Sequence, residues 1–83
     1  MSQISLETKS DLSSEAVIAA AKQKFIDELG MDLKEEAECC LRLEGGGGFV
    51  NIQAEPQEDG TKVGLQGREW TFHLKDFAAS IAK

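Results

Sequence analysis

Three groups of residues have types and spacings that chemistry could use. The first is the adjacent pair Cys39-Cys40, together with His73, the one histidine of the chain. A thiolate nucleophile needs a base beside it, so a thiol enzyme here would have to bring Cys40 and His73 together. Thiol exchange normally uses cysteines two residues apart at a helix start, whereas adjacent side chains on a strand point to opposite faces. Closing Cys39 onto Cys40 would need a distorted eight-membered ring. The expectation is therefore a buried Cys39 acting as a small hydrophobe and a partly exposed Cys40. Zinc fits poorly as well, because these three side chains fall short of the four ligands of a structural site.

The second group is Gly45, Gly46, Gly47 and Gly48. Backbone N–H groups freed of side chains can wrap a phosphate, but a phosphate loop opens a helix. This run opens onto Phe49-Val50-Asn51-Ile52, which alternates like a strand. A flexible hairpin loop is expected, one whose backbone could approach a ligand or partner closely. Arg42, Phe49 and Arg68 fall on the same outward side of the neighbouring strands and complete a candidate contact surface.

The third group is acidic. Asp32, Glu35 and Glu36 lie in a stretch that holds six carboxylates against Lys34, and Glu58 and Asp59 lie in a second loop. Oxygen ligands of this kind suit calcium, and Gly60 stands sixth from Glu55, where a calcium loop makes its sharp turn. Gln66 stands where such a loop needs a bidentate glutamate, so calcium-type binding by these five residues is the alternative reading.

Elements must position these groups, and most of them are visible as periodicities. Ile4 and Leu6 alternate with Ser5 and Glu7 over residues 3–8, the pattern of a half-buried strand. Ser13 caps a helix predicted over residues 14–29, with Ile18, Ala21, Phe25 and Leu29 in one stripe and Gly30 ending it. Residues 38–44 alternate with Cys39, Leu41 and Leu43 inward, and residues 49–55 with Val50, Ile52 and Ala54 inward. Pro56 closes that strand because it cannot donate to a ladder, and Asp59-Gly60 turns the chain into residues 61–66, with Val63 and Leu65 inward. Trp70, Leu74, Phe77 and Ile81 recur at helical spacing and predict a last helix over residues 72–82, capped by Thr71.

The order β-α-β-β-β-α predicts an α+β fold: a mostly antiparallel sheet of four strands with two helices packed on one face. At 83 residues the chain is expected to be a single domain. Its hydrophobic share of 41% is enough to close a core. Fifteen acidic residues against nine basic ones leave a formal charge of -6, and no face concentrates Lys or Arg, which argues against nucleic acid as a partner. No apolar run approaches a membrane span, and the first residues show no secretory pattern. Adjacent rather than spaced cysteines suit a reducing compartment, so a cytoplasmic location is expected. With one His, no Tyr and no matched acid and base, the expected function is a non-catalytic module binding a protein partner or small ligand, with no cofactor.

Overall fold

A computed structural model describes residues 3–82. Five strands, β1 (Ile4–Ser10), β2 (Asp32–Glu36), β3 (Cys40–Gly45), β4 (Gly48–Gln57) and β5 (Gly60–Arg68), are joined by helix α1 (Ser14–Lys22) and followed by helix α2 (Thr71–Ile81). They form one sheet in the order β1-β5-β4-β3-β2. Every pairing within it is antiparallel.

Alternation explains the centre of the sheet. Leu41 and Leu43 on β3, Val50, Ile52 and Ala54 on β4, and Val63 and Leu65 on β5 all point to one side and are buried. The helices cover that side. Val17, Ile18, Ala21 and Phe25 come down from the first helical segment and Leu74, Phe77 and Ile81 from α2, all into the same core. Phe25 meets Phe77 edge to face, with ring centroids 5.7 Å apart, an arrangement aromatic rings favour. Among the described residues no helix is long and apolar enough to cross a membrane.

The sheet has one strand more than expected. Asp32–Glu36 pairs with β3 through Asp32↔Glu44 and Leu33↔Leu43, then through Glu35↔Arg42 after a shift at Lys34. All five of its residues are exposed. An edge strand held by its backbone needs no buried face, so it shows no alternation, and its charges and bulge discourage further strands from adding on.

Other differences have local causes. Ser13 does cap α1, its Oγ accepting from Ala16 N–H at 3.1 Å. Past Lys22 the helix widens into a π-helical stretch at Gln23–Glu28. The Met31 N–H then returns to the Phe25 carbonyl, and the left-handed Gly30 (φ +72°) delivers Met31 into the core. Pro56 does not end β4, which runs on to Gln57. The Ala54 N–H points toward β3, where it bonds the Cys39 carbonyl, and Pro56, two residues on, points the same way past the end of β3. Its missing donor has no ladder to break there. The central residues of the next turn are Glu58 and Asp59, with Gly60 already paired to Gln57. Thr71 is the first residue of α2 rather than its cap; Trp70 occupies the cap position without a side-chain hydrogen bond.

Candidate functional site

The sheet face turned away from the helices carries the polar residues of each strand, and register sets them in rows. Glu35 pairs with Arg42, Arg42 with Asn51, Asn51 with Gln66 and Gln66 with Ser5, so one polar row crosses all five strands. The row below it runs Asp32, Glu44, Phe49, Arg68. The row above runs Cys40, Gln53, Gly64, Glu7. Gly64 leaves a gap in that row, and the twist of the sheet raises the edges around it. The result is a trough of about 650 Å³ centred on Asn51, with Glu35, Glu36 and Ala37 along one wall and Ser5 and Glu7 along the other.

Asn51 is the distinctive member of this row. Its Oδ1 is shielded from solvent and accepts no hydrogen bond. Buried polar atoms are nearly always paired, so Asn51 is a residue whose amide gains a partner if it turns out toward a donor in the trough. Alternation put Asn51 and Gln66 on this face. Only the register, which periodicity does not determine, lines them up with Arg42 and Glu35.

Toward the glycine hairpin the same face dips into a second depression of about 470 Å³. It gathers Arg42, Gly45, Gly47, Gly48, Phe49 and Arg68, six of the seven residues assigned to a contact surface from sequence. The Arg42 guanidinium carbon lies 5.8 Å from the Phe49 ring centroid, and Arg42 Nε lies 3.6 Å from Glu44 Oε2. Both are partly exposed contacts worth up to about 1 kcal/mol each.

Gly46 faces the other way. A Cβ there would stand 3.1 Å from the Trp70 ring, whose Nε1 donates to the Gly45 carbonyl at 2.9 Å. Three of the four glycines are needed by the backbone itself. Gly46 (φ +56°) and Gly47 (φ +82°) are the centre of a tight turn that needs two left-handed residues, and a Cβ on Gly48 would collide with the Arg68 carbonyl oxygen. The expected hairpin loop is a two-residue turn, Gly46-Gly47, between the paired Gly45 and Gly48.

The cysteines also differ from expectation. Glu38 and Cys39 lie outside the strand, in a two-residue turn closed by paired hydrogen bonds between Ala37 and Cys40. Freed from strand alternation, Cys39 is exposed, Cys40 is half-buried, and the two are joined in a disulfide. Cys39 is thus no buried hydrophobe. His73 sits on α2, on the helix side of the sheet, between the rings of Trp70 and Phe72. Cys40 carries no free thiol and His73 lies on the helix side of the sheet, so the pairing of Cys40 with His73 is not formed.

The five acidic candidates do not converge either. Asp32 lies beside the glycine hairpin and Glu58 and Asp59 lie in the β4–β5 turn. These are opposite ends of β4, about 30 Å apart at the rise of a strand. Glu36 is paired with Lys22 at 2.8 Å, and Asp59 with Lys9 at 2.8 Å. Among the described residues no three His, Cys, Asp or Glu side chains are grouped to hold a metal ion. Outside the face, Lys24 lies 2.6 Å from Asp76, and its hydrogen bond and charge hold that carboxyl below its ordinary value, with a smaller push from His73. The sequence matches no protein-family model and no curated protein.

Proposed function

We propose that the protein is a non-catalytic binding module that holds a small, hydrogen-bond-donating molecule in the open-face trough. The unpaired, buried Oδ1 of Asn51 in the trough carries this reading. An acceptor left in that state costs about 1–3 kcal/mol, and a ligand N–H or O–H that draws the Asn51 amide out toward the trough would recover it. The volume of about 650 Å³ falls within the range of small-molecule sites, roughly 300–1,000 Å³. Glu7 and Glu35 face the trough against Arg42 and against Lys62, 3.5 Å from Glu7, while Glu36 is turned to Lys22, so the trough holds no excess of positive charge and a neutral or cationic molecule suits it better than an anion. The same balance of charge speaks against nucleic acid, and a cytoplasmic setting belongs to the proposal, without support from the cysteines, which are joined.

A protein partner seated on Arg42, Phe49 and Arg68 is the second reading. It is favoured by the stacking of Arg42 on a half-exposed Phe49, residue types that anchor interfaces.

Amide NMR spectra titrated with monosaccharides, amino sugars and polyamines test the first reading. Saturable shifts at Arg42, Asn51 and Gln66 are expected, and Asn51→Ala should weaken binding about tenfold, the loss of one buried hydrogen bond. Undiminished binding in Asn51→Ala would sink it. A partner isolated from extract that binds Arg42→Ala and Phe49→Ala as well as the native protein would remove the second.

A further inference from the structure

We propose that the Cys39–Cys40 disulfide is a reversible exchange site, opened by dithiol reductants, and that its state sets how firmly the edge strand β2 is held. The inference holds whatever the trough binds. It rests on where the disulfide lies and on what else restrains β2.

The disulfide is reachable. Cys39 is exposed at the tip of the β2–β3 turn, and both cysteines line a depression of about 420 Å³ bordered by Gln53, Pro56 and Lys62. A thiolate of an external dithiol can attack Cys39 Sγ, forming a mixed disulfide as the S–S bond breaks and Cys40 leaves as a thiolate. The second thiol of the reductant then attacks its own sulfur in the mixed disulfide. It expels the Cys39 thiolate and leaves the reductant as a cyclic disulfide. Two electrons and two protons pass from the dithiol to the protein, and an external disulfide reverses the exchange.

The ring spans a mechanical junction. On one side the Cys39 carbonyl accepts from Ala54 N–H at 2.7 Å, tying the turn to β4. On the other, Cys40 exchanges hydrogen bonds of 3.2 and 2.8 Å with Ala37, the residue that follows β2. The ring limits the rotations between these two attachments, and opening it releases them.

Strand β2 is anchored at its start by the core residue Met31, and its far end, next to the disulfide, has little else to hold it. It is the last strand of the sheet, pairs only with β3, and exposes all five residues. The Lys22–Glu36 ion pair ties it to α1, and it is half-exposed. Loosening should therefore stay within β2 and its turn, because β4 and β5 are locked by the core. Glu35, Glu36 and Ala37 form one wall of the trough, so the exchange moves that wall.

Amide hydrogen exchange and intact mass of the full chain, measured in dithiothreitol and in oxidised glutathione, test the proposal. Dithiothreitol should reduce the folded protein without denaturant, with a gain of two hydrogens. The β2 amides should then exchange about tenfold faster while those of β4 and β5 keep their rates, and oxidised glutathione should restore the first state. A Cys39→Ser/Cys40→Ser variant should show fast β2 exchange in both buffers. The proposal is overturned by a disulfide that resists dithiothreitol until the chain is unfolded in urea. Thiols that never close in oxidised glutathione, or β2 exchange that ignores reduction, would equally overturn it.

Discussion

A Cβ placed on Gly48 would meet the Arg68 carbonyl oxygen and lie 2.7 Å from Glu69 Cβ, so Gly48→Ala must push the start of β4 away from the end of β5. Gly47 differs. Its φ of +82° disfavours a side chain, yet the space around it is open. Gly48→Ala should lose about 2–3 kcal/mol through overpacking, and Gly47→Ala about 1–2 kcal/mol through its backbone conformation alone. Urea unfolding followed by circular dichroism separates them, and equal losses would contradict the close approach at Gly48. Asp76 allows a test by pH. Lys24 holds its carboxyl below the ordinary value in the folded chain, so the pair stabilises the fold above the unfolded carboxylate pKa, and that contribution disappears as pH falls through the folded one. Asp76→Asn should therefore be slightly less stable than the native chain at neutral pH and equal to it in acid. A gap that persists at low pH would show that the side chain acts by something other than its charge.

Helix α2 is fastened to the hairpin it faces through Trp70, whose Nε1–H reaches the Gly45 carbonyl. Trp70→Phe keeps most of the ring and removes the donor, leaving that carbonyl short of a partner. A loss of about 1–2 kcal/mol is expected in urea unfolding by circular dichroism, and an unchanged midpoint would mean that the hydrogen bond adds nothing. At this scale the sequence was informative where elements bury a face. The alternations at 41–43, 50–54 and 63–65 and the stripe from Leu74 to Ile81 found the core strands and α2, because burial writes itself into periodicity. The segment 32–36 left no such mark, since an edge strand pairs by its backbone, and its charges read as a solvated connector. The widening of the helix after Lys22 was hidden for another reason: Phe25 is buried in either geometry. The face that holds the candidate site was legible, and the row Glu35, Arg42, Asn51, Gln66 was not, because it exists only once three registers are set.

For the molecule as a whole, a radius of gyration of 11.6 Å matches the roughly 11.8 Å expected of a compact chain of this length. With a formal charge of -6 at neutral pH, repulsion between copies keeps them apart, and that protection vanishes near the isoelectric point of about 4.6. Solubility should be lowest there, as turbidity against pH would show; a minimum near pH 7 would point to association through something other than charge. The strand order has a consequence for how the chain is made. Because β5 is the one strand that β1 joins in the sheet, Ile4 must wait for Gly67, and of the five strands the first to be made is the last to find its neighbour. During that wait the hairpins of β2 through β5 can assemble, each from residues made in succession. The polar residues Ser5, Glu7 and Lys9 alternate with Ile4, Leu6 and Thr8, so the waiting segment offers one polar side to water, which suits a strand that must stay unpaired until β5 has been made.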